Sequence, residues 1–346
     1  MAEIRLRDKT LIGDYKKPYI IAELNSSHNG SIEAAKEMIM KAKECGCDCV
    51  KFQSWSAESL YSKSYYDANP ITKRLVEKFS LSEAELLQLV DYCRNIDISF
   101  ASTPYSKSEV DFLIDECHVP FIKIASMEIN NYDFLKYIAE KMVPVILSTG
   151  MANIGEIRKA VNLFQQANNN QLILLHCVSI YPAEPSIIHL NNIIGLRNAF
   201  PGYPIGYSDH TLGIEIASAA TALGACVIEK HFTLDNKKMG MDNNMATEPN
   251  DMKKLIENCE NVHQAMGGFE RVVSASENEQ KIKMRRSIIA AKDLLKGATI
   301  TFEDLDVKRP GSGLSAEMIG QLIGKTLNND ISKDTMILAS DLLEVL

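Results

Sequence analysis

The chain has 346 residues, 46% hydrophobic, 7% aromatic and 24% charged, a globular composition long enough for two domains or one large domain with an appendage. A formal charge of −8 argues against a general nucleic-acid footprint, and no run approaches the roughly 18 apolar residues of a membrane span. The opening MAEIRLRDKT holds no apolar run fit for a secretion signal, so a cytoplasmic protein of enzyme size is expected, with neither nucleic acid nor membrane as partner.

Eight strand-length runs rich in Ile, Val or Phe follow in order: 19–24 (YIIAEL), 48–53 (DCVKFQ), 97–102 (DISFAS), 121–126 (FIKIAS), 143–148 (VPVILS), 171–177 (QLILLHC), 203–208 (YPIGYS) and 225–231 (ACVIEKH). Amphipathic helical patterns lie between them. Ser82-x-x-Glu85 and Ser106-x-x-Glu109 read as capping boxes, and Asn153 and Thr211 as further helix caps. Strands alternating with helices imply parallel βαβ units, and eight of them fit a TIM (β/α)8 barrel. A doubly wound sheet is the alternative, but no G-x-G-x-x-G follows the first strand. Residues 61–79 are too polar for core and suit a loop that covers a substrate. Cys45, Cys47 and Cys49 form a C-x-C-x-C run, yet zinc frameworks repeat C-x₂₋₄-C pairs at a distance. Reduced cysteines serving as small buried apolar groups are the plainer account. Met38, Met40, Met239, Met241 and Met245 likewise read as packing.

After the last helical pattern of the barrel, residues 267–283 are polar and begin with glycine. The division expected is a barrel over 1–268, a linker over 269–284 and a small module over 285–346. That module carries an internal repeat: Asp293-Leu294-x-Lys296-x-x-x-Ile300-x-x-x-Asp304-Leu305 recurs as Asp330-Ile331-x-Lys333-x-x-x-Ile337-x-x-x-Asp341-Leu342. The duplication implies two pseudo-symmetric halves sharing a small core.

Chemistry gathers at strand ends, where a TIM barrel keeps its active site. In the second run Val50 and Phe52 share one face, which turns Lys51 and Gln53 inward. In the fourth, Ile122 and Ile124 face out, so Lys123 faces in. Glu23, Ser148 and His176 end or nearly end their strands. Ser208 and His210 share a face, as do Glu229 and His231. His210 and His231, on neighbouring strands, could bind one divalent ion through nitrogen donors, with Glu229 beside them. Two structural histidines are the plainer alternative. Lysines inside a barrel are costly unless they meet an anion. Lys51 and Lys123 therefore suggest phosphate or carboxylate binding, a Schiff-base lysine, or a buried salt bridge with Glu23 or Glu229. Ser102, Thr103, Ser126 and Ser148 would add neutral donors to a phosphate.

A series of motifs now stands in order. They are Glu23 with Ser27-His28-Asn29-Gly30, Lys51-Phe52-Gln53, Ser102-Thr103-Pro104-Tyr105, Lys123-Ile124-Ala125-Ser126 and Leu147-Ser148-Thr149-Gly150-Met151. His176-Cys177-Val178-Ser179-Ile180-Tyr181-Pro182, Gly206-Tyr207-Ser208-Asp209-His210-Thr211, Ile228-Glu229-Lys230-His231-Phe232 and Lys308-Arg309-Pro310-Gly311-Ser312-Gly313 follow. Together they resemble the bacterial sialic acid (nonulosonic acid) synthase family over nearly the whole chain, with a C-terminal module similar to the antifreeze-like, or SAF, domain of β-clip fold.

The resemblance implies condensation of phosphoenolpyruvate with an open-chain N-acylated hexosamine, releasing phosphate. Lys51, Thr103, Lys123, Ser126, Ser148, Ser179 and Ser208 would hold phosphoenolpyruvate. His210 and His231 would bind the metal, Mn²⁺ before Mg²⁺ or Co²⁺. Glu23 would be the acid/base residue, with Glu229 beside it. Gln53, Tyr181 and Asp242 would contact the sugar, and Arg309 would reach it from the C-terminal module of the partner in a domain-swapped homodimer. The loop Met239-Gly240-Met241-Asp242-Asn243-Asn244 departs from the Gly-Pro-Asp common in sialic acid synthases. This leaves N-acetylmannosamine, favoured on family breadth, beside the precursors of legionaminic and pseudaminic acids. A Schiff-base aldolase on Lys51 or Lys123 is the remoter alternative.

Overall fold

A short antiparallel hairpin, β1 (Glu3–Arg5) and β2 (Leu11–Gly13), precedes eight parallel strands. These are β3 (Tyr19–Glu23), β4 (Cys49–Gln53), β5 (Ser99–Thr103), β6 (Ile122–Ile124), β7 (Val145–Ser148), β8 (Leu172–Cys177), β9 (Ile205–Asp209) and β10 (Val227–His231). Each overlaps one of the eight apolar runs read from the sequence. The structure is a computed structural model, described for residues 1–238 and 240–343. Met239, in the loop singled out above, and residues 344–346 lie outside that description. The ladder runs in chain order, and β10 pairs with β3, joining last strand to first. Only the seam between β5 and β6 lacks a ladder, and there the two strands lie side by side. The result is a TIM-type barrel, and the doubly wound alternative falls. The chain divides into two units, Met1–Gly267 and Gly268–Leu346.

Period-two alternation sorts each strand. Outward residues such as Ile20, Val50, Phe52, Ile122, Leu147, Leu174 and Ile228 pack under the helices. Inward residues Tyr19, Ile21, Cys49, Ala101, Phe121, Ile146, Ile173, Leu175 and Val227 fill the barrel, joined by Ile4, Leu6 and Ile12 from the hairpin segment. Gly206 is the inward position of β9 in this layer. A Cβ there would lie 2.6 Å from a Leu175 methyl carbon and 2.8 Å from the Val227 carbonyl oxygen, so only glycine fits.

Two of the expected helix caps hold and other local expectations need correction. Ser82 and Glu85 form a complete capping box, as do Asn153 and Glu156. Ser106 caps its helix, but the Glu109 carboxylate instead accepts the Tyr105 N–H. Thr211 caps nothing: its N–H and hydroxyl both donate to Asp209, and the next helix begins at Glu215. Residues 61–79 are helical rather than loop, in Lys63–Ala68 and Pro70–Phe79. Tyr66 and Val76 close on Trp55 to form a separate small core there.

The second unit opens with a helix, Ala275–Met284, where the sequence suggested only a polar linker. Strands β11 (Ser287–Ala290) and β12 (Leu305–Lys308) pair antiparallel. The duplication is visible as reciprocal bonding. Leu294 and Ile331 exchange backbone hydrogen bonds of 2.8 Å in both directions. Asp330 accepts the Lys296 N–H at 2.7 Å, and Asp293 accepts the Lys333 N–H at 2.8 Å. Leu294, Ile300, Ile331, Ile337 and Leu342, all repeat positions, form the core with Ile288 and Leu327.

Candidate active site

Two residues beyond the apolar barrel layer, toward the C-terminal strand ends, the inward positions turn polar. They are Glu23, Lys51, Thr103, Lys123, Ser148, Cys177, Ser208 and Glu229, with Gln53, Ser126, Tyr181, His210 and His231 around the same pocket. Strand register brings residues distant in sequence side by side: Glu23 opposes both Lys51 and His231, and Ser208 opposes both Cys177 and Glu229.

Charges meet at close quarters. Lys51 pairs with Glu23 and stands 3.8 Å from Glu229, while Lys123 lies 3.5 Å from Glu229. All four side chains are at least nine-tenths buried. Lys51 also donates to Thr103 at 3.0 Å, Lys123 to Ser148 at 2.7 Å, and Ser208 to Glu229 at 2.9 Å. The salt bridges weighed for the two lysines are therefore present, balanced two cations against two anions. Glu229 Oε2 keeps no hydrogen bond of its own.

The balance is uneven in proton affinity. Burial pushes the Glu23 carboxyl up to about 7, with Lys51 opposing and Glu229 reinforcing the shift. Burial would also raise Glu229, but Lys123 and Lys51 outweigh it and hold that carboxyl below its ordinary range. Burial lowers Lys123, whereas for Lys51 the two glutamates overcome burial and raise it. Glu23 is thus the carboxyl that can carry a proton near neutrality, and Glu229 is the permanent anion.

A further set of polar side chains belongs to the same pocket. The Gly150 N–H donates to Ser126 Oγ at 3.1 Å. A Cβ on Gly150 would fall 2.3 Å from Ser179 Oγ, 2.7 Å from Cys177 Sγ and 2.8 Å from Ser126 Oγ. Three polar side chains thus converge where only glycine leaves room.

Burial lowers the proton affinity of both His210 and His231, leaving neutral rings with free lone pairs. Nδ1 of His210 bonds the Val178 carbonyl at 2.7 Å, which frees Nε2. The rings are 5.6 Å apart, and Tyr181 lies 4.1 Å from that of His210. Among the described residues no group of three or more His, Cys, Asp or Glu gathers as a metal cage. Two neutral imidazoles with Glu229 nearby fit an open divalent site that leaves positions for substrate oxygens. Behind them, on the outer face, Lys230 and Asp209 form a fully buried ion pair at 2.6 Å.

Most sequence-predicted residues share this pocket. Ser179 borders it through Cys177, its Oγ 3.9 Å from that Sγ, and Asp242 receives a hydrogen bond from Asn25. Arg309 lies in the second unit and is exposed. Two expectations fail. Ser102 faces outward and bonds Ser54 at 2.5 Å, and His176 faces outward, bonding the Ile188 carbonyl and stacking on Tyr207. Cys177 and Tyr105 were missed. Cys177 follows Leu175 at the inward period, but its run is apolar on both faces and carries no signal of phase. Tyr105, which donates to Gln53 Oε1 at 3.0 Å, leaves the barrel in a loop without periodicity.

The NeuB family matches residues 38–271 and the SAF domain residues 285–343. The chain is 39% identical to the N,N'-diacetyllegionaminic acid synthase of Campylobacter jejuni, covering 93% of this chain and 99% of that protein. It is 33% identical to the N-acetylneuraminate-9-phosphate synthase of Drosophila melanogaster, covering 94% and 96%. The crystal structure of the N-acetylneuraminic acid synthetase of Leptospira borgpetersenii superposes with a TM-score of 0.75 at 34% identity, over 80% of this chain and 94% of that one. On its sequence, its barrel and the charged pocket at the barrel mouth, this chain belongs to the NeuB family, with a SAF domain at its C-terminal end.

Proposed function

We propose that the enzyme condenses phosphoenolpyruvate with the open-chain form of a 2,4-diacetamido-2,4,6-trideoxymannose, releasing phosphate and a legionaminic-type nonulosonic acid. The observation that carries the condensation is the buried quartet Glu23, Lys51, Lys123 and Glu229, ringed by the hydroxyls of Thr103, Ser126, Ser148 and Ser208. Such a site suits a small, highly charged anion: the lysines exchange glutamate partners for phosphate and carboxylate oxygens, and the hydroxyls orient them. The higher identity to the legionaminic acid synthase favours the trideoxy acceptor over the N-acetylmannosamine that family breadth suggested.

His210 and His231 would hold a divalent ion, Mn²⁺ before Mg²⁺ or Co²⁺, which supplies Lewis-acid polarisation of a carbonyl oxygen when bound. The enol carbon of phosphoenolpyruvate attacks the sugar aldehyde carbon, and Glu23, protonated near neutrality, gives its proton to the oxygen that becomes a hydroxyl. The oxocarbenium left behind takes up water. Glu23, now a carboxylate, accepts a proton from that water, and the tetrahedral intermediate collapses to the ketone as phosphate leaves carrying the hydroxyl proton. Glu229 stays ionised and offsets the charge of the two lysines. Gln53, Tyr181 and Asp242 contact the sugar, and Arg309 of the partner subunit completes the site in a swapped homodimer. The compartment is the cytoplasm, in keeping with eight unpaired cysteines.

Phosphate release with each of the three candidate sugars, compared as kcat/KM, tests the reading. A preference for the trideoxymannose acceptor is expected. A higher value for N-acetylmannosamine would overturn the acceptor assignment, and no release with any sugar would overturn the condensation.

A further inference from the structure

Asn25 lies two residues past Glu23, in the first loop at the mouth of the barrel. It is buried, and its φ of +40° is in the left-handed region. Its backbone N–H donates to Glu23 Oε1 at 2.9 Å, and its side-chain Nδ2 donates to Asp242 Oδ2 at 2.5 Å. The orientation of the carboxamide is chemically determined, because only its NH₂ end can face a carboxylate. Oδ1 is therefore turned away, and it is buried without a hydrogen-bond partner.

Two local costs thus meet at one residue. Left-handed backbone disfavours side chains other than glycine, though asparagine tolerates it better than most, and a buried acceptor left unpaired forfeits its solvation. What the residue supplies is a bridge between two carboxylates that the chain brings together from its first and last barrel loops. The neighbouring Ser26 reinforces it, its hydroxyl accepting the Met241 N–H at 3.2 Å. Burial raises the Asp242 carboxyl, and the Asn25 bond opposes that rise. Local cost without local gain, beside a catalytic pocket, marks a functional constraint.

We propose that Asn25 is a positioning residue for acceptor-sugar recognition: it holds the Asp242 carboxylate in the orientation that receives the sugar, leaving the phosphoenolpyruvate half of the pocket untouched. The inference rests on the reading of Asp242 as a sugar contact.

The test is steady-state kinetics of Asn25→Gly. Glycine keeps the left-handed backbone and the N–H to Glu23 and deletes only the tether. Loss of a hydrogen bond to a charged group predicts a sugar KM raised about tenfold or more, with the phosphoenolpyruvate KM within about twofold of wild type. In an Asp242→Ala background, where no acceptor for the tether remains, Asn25→Gly should leave the sugar KM unchanged. Asn25→Asp, of the same size but placing a second carboxylate against Asp242, should raise the sugar KM at least as far. An unchanged sugar KM, a parallel rise for phosphoenolpyruvate, or a full further effect in the Asp242→Ala background would each overturn the proposal. Wild-type enzyme inactive with every candidate sugar would overturn the functional reading and this inference together. An active wild type whose sugar KM ignores both Asn25 variants would overturn this inference alone.

Discussion

The Lys230–Asp209 pair behind the two histidines offers the sharpest energetic test. Lys230 is 1% exposed and Asp209 is fully buried. The ammonium donates to Asp209 Oδ2 at 2.6 Å and to the Thr211 carbonyl at 2.8 Å, bridging β10 to the turn that follows His210. Attraction at this distance in an effective dielectric of about 20 is roughly 6 kcal/mol. Lys230→Met removes it but leaves Asp209 Oδ1 with three donors: the Tyr207 hydroxyl and the Thr211 N–H and hydroxyl. These offset part of the loss, so a cost of about 3–5 kcal/mol is expected, the range for stranding one buried charge. Trp55, the single tryptophan, lies in the barrel unit, so its fluorescence during urea unfolding follows that unit. Adding Asp209→Asn removes the stranded charge and should recover at least about half of the cost. A loss below about 1 kcal/mol for Lys230→Met, or a double variant weaker than the single, would refute the pair as an anchor of the histidine strands.

Other outcomes follow from the same geometry. Because the Glu23 carboxyl is raised to about 7 and acts first as an acid, kcat/KM should fall as pH rises through that value, and Glu23→Gln should lose this limb along with most of the activity. His28 is buried with its pKa lowered by desolvation to about 4, so the folded state stays neutral where the unfolded chain protonates. Stability from this source is complete above about 6.5 and is lost as pH falls toward 4, by up to about 3 kcal/mol, and His28→Gln should flatten the slope of unfolding free energy against pH. Chelator-stripped enzyme should stop releasing phosphate and regain turnover with Mn²⁺. His231→Ala should abolish that recovery and His263→Ala should not, whereas full activity without metal would contradict the assignment. Mixing inactive Glu23→Ala with inactive Arg309→Ala subunits should restore activity through one intact site per mixed dimer, and no recovery after confirmed subunit exchange would count against the swap.

The barrel was legible because parallel strands buried on both faces leave continuous apolar runs, and because Val50 and Phe52, Ile122 and Ile124, and Ile228 claim the outer faces of their strands. Lys51, Lys123 and Glu229 were assigned their inward faces that way. Where the run holds no such marker the phase is lost. QLILLHC is apolar on both faces, so nothing in it showed that Cys177 points in and His176 out. In SFAST the adjacent hydroxyls of Ser102 and Thr103 could each have been the inward one. Thr211 resembled a cap because caps are local, yet the competing acceptor, Asp209, also had to answer a buried lysine on the next strand. The short helices after β4 escaped notice because their polar faces dominate the composition, while Trp55, Tyr66 and Val76 make a core too small to impose periodicity. The bond from Asn25 to Asp242 is purely tertiary and has no local signature.

The central claim is that water attacks carbon, not phosphorus, after a carbon–carbon bond has formed. Running the reaction in ¹⁸O-water with phosphoenolpyruvate and the trideoxymannose acceptor, then weighing the released phosphate by mass spectrometry, tests it most directly. The account predicts phosphate that appears only when sugar is present and carries no ¹⁸O, because it departs with the bridging oxygen of phosphoenolpyruvate. Phosphate bearing one ¹⁸O, or released equally without sugar, would contradict it.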